Sequence, residues 1–227
     1  MTARTGHLPA DAVRTMFGRI APVYDGMNHA MSAGLDRRWR RLAADAVVAK
    51  GDRVLDACCG TGDLALAARS AGGIVTGLDF SDAMLERARR KSSEIEWVEG
   101  NLLHLPFADG SFDTATVGFG VRNVDDLDSA LRELRRVVKP GGRLAILELV
   151  RPKGPLALFY KAWFGGLVPV AGRMISGGAA YSYLPASVRR FPGPAELTER
   201  VRAAGFHPAA HRLLGGGIVV LVVGEAR

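Results

Sequence analysis

At 227 residues the chain is long enough for one α/β domain with a substantial core, and residues 1–227 are expected to form that single domain. Its 30 Lys and Arg against 23 Asp and Glu give a formal charge of +7, but without a dense Lys/Arg block or an aromatic-rich RNA-binding motif, so no nucleic-acid partner is expected. The two cysteines, Cys58 and Cys59, are adjacent and belong to no metal-ligand spacing, so they are read as small packing residues, with no metal site and no disulfide. The first ten residues lack an apolar signal segment, and no stretch reaches about 18 uninterrupted apolar residues, so a cytoplasmic chain is expected.

In chain order, the region up to about residue 50 reads as helices. Residues 53–57 then form a short apolar strand, a glycine-punctuated turn follows, and residues 63–70 have helical spacing. A second strand at 74–78 leads into a helix over 82–91, capped by Ser81 or Asp82. Strands at 95–98 and 112–118, a helix over 127–138 and a fifth strand at 143–149 continue the alternation, the last of these introduced by Pro140-Gly141-Gly142. A helix over 194–204 and strands at 206–212 and 218–223 would complete a mostly parallel seven-stranded sheet. Two segments stand outside this pattern: the N-terminal helices, expected to cap a substrate, and an insertion over 150–193 after the fifth strand.

The run Val54-Leu55-Asp56-Ala57-Cys58-Cys59-Gly60-Thr61-Gly62-Asp63 carries the chemistry. Gly60 and Gly62 let the backbone turn tightly and approach a ligand. Asp79, ending the second strand, stands where doubly wound sheets hold the two hydroxyls of a cofactor ribose, and Phe80 follows it into the same site. The full G-x-G-x-x-G dinucleotide pattern is absent, and Asp56 precedes the glycines. A carboxylate there repels a pyrophosphate but suits a ligand carrying an ammonium and a sulfonium, which points to S-adenosyl-L-methionine (SAM) rather than NAD. The alternative is that Asp56 and Asp79 merely cap the elements that follow them.

Tyr24-Asp25-x-Met27-Asn28-x-x-Met31-Ser32 with Trp39 downstream, Phe119-Gly120-Val121-Arg122-Asn123-Val124, and Arg136-Val137-Val138-Lys139-Pro140-Gly141-Gly142-Arg143-Leu144 ending near Glu148 resemble the signatures of the menaquinone/ubiquinone biosynthesis C-methyltransferase family. The likeness runs from about Phe17 to the C-terminus. It implies a class I SAM-dependent methyltransferase (Rossmann-like) fold, with Thr61, Asp79, Asn101 and Leu102 at the cofactor and Gly118 contributing backbone there. Three positions depart from the family pattern: Asp36 replaces a histidine, and Val150 and Gly118 each replace a serine.

The activity implied is methyl transfer to a ring carbon of a prenylated quinol, demethylmenaquinol or a ubiquinone precursor. A hydroquinone carbon becomes nucleophilic as its hydroxyl moves toward phenolate, so a base or cation is needed near that oxygen. Tyr24, Asp25, Asn28, Arg122, Asn123, Tyr181 and Tyr183 are the candidates; for Arg122 the alternative is a salt bridge to Asp125 or Asp126. The very apolar run over 156–170 in the insertion suits either a pocket for the prenyl tail or peripheral contact with the cytoplasmic membrane leaflet. A homodimer is the further assembly considered.

Overall fold

The computed structural model describes residues 9–152 and 179–227, with side chains of the second segment described from residue 183 onward. The apolar run over 156–170 and the side chain of Tyr181 lie outside the described residues. Three helices come first: α1 (Ala10–Ile20), α2 (Tyr24–Met31) and α3 (Leu35–Val47). The alternating core follows as β1 (Arg53–Ala57), α4 (Asp63–Ser70), β2 (Ile74–Asp79), α5 (Asp82–Lys91), β3 (Glu96–Glu99), β4 (Phe112–Gly118), α6 (Leu127–Val137) and β5 (Val138–Leu149). Then come α7 (Ala179–Arg190), α8 (Pro194–Ala203), β6 (Phe206–Leu214) and β7 (Val219–Ala226).

Among the described residues seven strands form one sheet in the order β3-β2-β1-β4-β5-β7-β6. β1 to β5 pair in parallel, whereas β7 runs antiparallel to both β5 and β6. Buried positions of α3 and α4, such as Ala43, Val47, Leu64 and Ala68, cover one face. Leu131 and Leu134 of α6 with Leu197 and Val201 of α8 cover the other. Central strands buried on both faces have the continuous apolar character typical of parallel sheets. β5 starts five residues earlier than its hydrophobic run suggests, because the glycine turn is absorbed as an irregularity between Phe112 and Thr114 of its partner β4. Gly142 passes so close to the strand that a Cβ there would lie 2.6 Å from the Asp113 carbonyl oxygen.

The N-terminal helices are attached unequally. α1 buries Val13, Met16 and Ile20, the first two against Tyr183 of α7 and the last with Met84 of α5. α2 buries no residue completely; Tyr24 packs against Ile20, Ala21 and Met84, and polar contacts hold the rest.

Trp97 of β3 lies across both glycines that shape the end of the first two strands. A Cβ on Gly62 or on Gly77 would come within 2.4 Å of its ring. The indole is fixed by a 3.0 Å hydrogen bond from Nε1 to the Ser92 carbonyl, so it cannot swing away freely. Gly77→Ala should therefore destabilise the fold by about 1–3 kcal/mol through overpacking, read as a lowered Tm in thermal unfolding.

Candidate active site

The strand order reverses between β1 and β4, and the loops leaving these two strands touch there. Gly120 faces Cys58 so closely that a Cβ on it would sit 2.4 Å from the cysteine Cβ. Both Cys58 (φ 54°) and Phe119 (φ 58°) take left-handed backbone conformations at these strand ends, a local strain characteristic of ligand sites. The cleft above them, about 990 Å³ including its open mouth, is bordered by Asp56, Gly60, Asp79, Asn101 and Phe119 among others. It occupies the position outside the carboxyl ends of the strands where doubly wound sheets bind ligands.

Asp56 is wholly buried. Its Oδ1 accepts a 2.9 Å hydrogen bond from Thr116 Oγ1, while Oδ2 is buried with no hydrogen bond of ordinary geometry to a described residue, the Ala65 N–H only helping to favour its charge. Burial pushes its pKa up to about 7. Asp79 accepts the Gly60 N–H at Oδ2 (2.8 Å) and the Ser81 N–H at Oδ1 (2.9 Å), with burial raising it to about 6. The second acid thus bolts the glycine turn to β2 and still borders the cleft. Gly60, at φ +55°, has nothing within 4 Å of a Cβ position, so the turn is open toward the cleft.

A second, mainly apolar cavity of about 850 Å³ including its open mouth adjoins the first. Met16, Met27, Met31, Trp39 and Ile218 are among its walls. Phe17, Tyr24, Arg40 and Phe119 line both spaces, so they form the partition between them. Phe17 and Tyr24 meet edge to face with centroids 6.0 Å apart. Arg122 enters this cavity from the turn after β4. Its Nη1 donates to Glu148 Oε1 at 2.7 Å and to the Phe119 carbonyl, and the Arg122 N–H reaches Glu148 Oε2 at 3.2 Å. Burial works against the Arg122 charge, but Glu148 together with Tyr24 and Tyr183 holds the guanidinium above its ordinary range.

Residues 6–225 match the ubiE/COQ5 methyltransferase family. The chain belongs to this family. Over 219 residues it is 46% identical to the demethylmenaquinone methyltransferase of Thermus thermophilus, covering 92% of this chain and 99% of the relative. It is 44% identical over 230 residues to the 2-phytyl-1,4-naphtoquinone methyltransferase of Synechococcus elongatus, covering 96% and 99%. A SAM-dependent methyltransferase from Thermotoga maritima shares the fold, with a TM-score of 0.67, 21% identity, and 93% and 100% of the two chains covered. The methyl donor of this methyltransferase is SAM. The cleft suits it: the unpartnered oxygen of Asp56 is a buried acceptor of the kind an α-ammonium satisfies, and the open glycine turn admits a nucleoside beside Asp79.

Several sequence candidates converge on these two spaces. Gly60, Thr61, Phe80, Leu102 and Gly118 border the cofactor cleft, and Asn28, Arg122 and Tyr183 the apolar cavity. Gly62 takes the left-handed conformation (φ 85°) that starts α4. Asn101 is also an ordinary turn residue, its Oδ1 accepting the Leu103 N–H at 2.9 Å. Asn123 borders the cofactor cleft with its Oδ1 buried and unpartnered.

Other placements differ from expectation. Asp25 borders neither space; Lys91 binds its Oδ2 at 2.7 Å and Thr61 Oγ1 donates to its Oδ1 at 2.5 Å, so it latches α2 to the glycine turn. Arg122 pairs with Glu148 rather than with Asp125 or Asp126, and Asp126 instead caps α6 by accepting the Ser129 N–H. At Gly118 a Cβ would approach Leu64 Cδ2 to 2.9 Å, so leucine packing takes the room that a serine needs. Sequence reasoning missed the partition residues Arg40, Phe17 and Phe119. Asp36 and Arg40 share the buried face of α3 with Ala43 and Val47, and two charges in that apolar period were the available signal.

The raised Asp56 pKa sets a pH dependence. Unfolded, its carboxyl ionises near the ordinary 3.8; folded, it holds its proton up to about 7, so ligand-free stability falls as pH rises between these values and is flat above. Asp56→Asn should match the wild-type stability near pH 4 and exceed it at pH 8, by about 4 kcal/mol at most, read as a higher Tm. Calorimetry at pH 8 should show the same variant binding SAM more weakly.

Proposed function

We propose that this methyltransferase transfers the SAM methyl group to a ring carbon of demethylmenaquinol, giving menaquinol. The observation that carries this reading is an apolar cavity with a buried, carboxylate-braced cation, separated from the cofactor cleft only by side chains of Phe17, Tyr24, Arg40 and Phe119. A fused aromatic ring with a greasy substituent fits such walls, and the methionines conform to its outline. The two relatives bear names of naphthoquinone-type substrates, which favours this acceptor over a benzoquinol precursor of ubiquinone.

Bound SAM supplies an electrophilic methyl on a sulfonium. Arg122, fixed by Glu148, polarises the acceptor hydroxyl toward phenolate so that the ring carbon gains nucleophilicity; the methylated carbon then gives up its ring hydrogen as a proton, and one proton is released to solvent for each methyl transferred. Tyr183 is pushed above the ordinary phenol range by burial, so it stays protonated at neutral pH and can donate a hydrogen bond to a ring oxygen. Tyr24 and Phe119 orient the ring across the partition and exclude water, and Asn28 and Asn123 contribute polar edges. Within this reading the helices up to residue 50 cap the acceptor, and one domain carries the whole reaction.

An anaerobic assay with reduced acceptors and isotope-labelled SAM, scored by mass spectrometry, tests the assignment. Demethylmenaquinol should gain one labelled methyl; selective methylation of a benzoquinol precursor instead would reject it. Arg122→Lys should lower kcat by about 10²–10³-fold without changing cofactor affinity.

The prenyl tail must leave water somewhere, at about 0.8 kcal/mol per buried methylene. Among the described residues no helix is long and apolar enough to cross a membrane. The apolar run over 156–170 is the candidate docking element on an anionic leaflet. Replacing Trp163 and Phe164 together with glutamate should release the protein from anionic vesicles in co-sedimentation; unchanged pelleting would remove this segment from the account.

A further inference from the structure

SAM carries a carboxylate as well as two positive centres, and the cleft is acidic. Among the described residues lining it, Arg40 is the only cation, and it shares the lining with the buried acids Asp56 and Asp79. A carboxylate brought into this field without a cation would be strongly repelled. Arg40 is 6% exposed, and its guanidinium carbon stands 5.2 Å from the centroid of the Phe119 ring. One edge is fixed: Nη1 donates to Asp36 Oδ2, and Asp36 is steadied in turn by Ser32 Oγ at 2.9 Å. No other hydrogen bond joins the Arg40 side chain to a described residue, so the rest of its donor fork is free where the two cavities meet.

From this geometry we infer that Arg40 binds the α-carboxylate of SAM, with Asp36 as its positioning residue. The inference rests on the cofactor reading alone and needs no particular acceptor. Asp56 and Arg40 then form a matched pair, an acid for the α-ammonium and a base for the α-carboxylate, at opposite sides of the amino-acid end. The acceptor oxygen has its own cation in Arg122, which borders the apolar cavity and not the cofactor cleft. Burial dominates the Asp56 titration, with Arg40 among the groups pulling against it, so the two are electrostatically in touch.

The test is calorimetric binding of S-adenosylhomocysteine and of its decarboxylated counterpart, which keeps the ammonium and lacks only the carboxylate. Wild-type protein should prefer the intact molecule by roughly 10–100-fold. Arg40→Gln, made in an Asp36→Asn background so that no buried charge is orphaned, should lose that preference relative to Asp36→Asn alone. Its affinity for the decarboxylated ligand should stay within about twofold. Arg40→Lys keeps the charge without the fork and should retain an intermediate preference, which guards against a folding defect in the double variant. Equal affinity of the wild type for both ligands, or equal losses for both in the variant, overturns the role of Arg40. Failure of the wild type to bind either ligand would instead overturn the cofactor reading itself.

Discussion

The site is organised around a carboxylate buried without a full set of partners. Asp56 is enclosed at the end of β1 with one oxygen satisfied by Thr116 and the other unpaired. Such a group costs stability in the ligand-free protein, and it persists because the surrounding sheet holds it in place. Asp79 is nearby, and its two backbone donors make it the better satisfied acid. The pair therefore divides its work: one carboxylate builds the glycine turn, the other remains available to a cation.

That division depends on close backbone approaches. The turn can present its N–H to Asp79 because Gly60 adopts positive φ, and Trp97 can brace β2 and α4 together because Gly62 and Gly77 carry no side chains. On the acceptor side the equivalent constraint is Gly120 against Cys58, which draws Phe119 and Arg122 over the end of β1. The β4 pairing with β5 brings Glu148 under Arg122, and the two are 26 residues apart in sequence. A buried pair of this kind contributes little net stability, and its value here is a cation with a fixed address.

Much of this was legible in the sequence. The acid, glycine turn and second acid lie on consecutive elements, so local spacing alone placed Asp56, Gly60 and Asp79 around one cleft, and the alternating periodicity yielded all seven strands. Pairings set by the sheet were not legible: neighbouring Asp125 and Asp126 were the obvious partners for Arg122, yet Asp126 is consumed by the α6 cap. Asp25 resembled a chemical group because of its motif. Its role in a latch depends on Lys91 at the far end of α5. Arg40 was hidden among the surface-like arginines of α3, where only the helical period separates a buried base from exposed ones.

The attachment of α2 makes one edge of the site sensitive to salt. This helix roofs the partition through Tyr24 but buries no side chain completely, and besides the packing of Tyr24 its link to the core runs through Asp25, Thr61, Lys91 and Asp63. Partly exposed charges hold such a flap weakly and are screened by salt. Raised ionic strength should therefore loosen the N-terminal edge of the cleft before it disturbs the sheet.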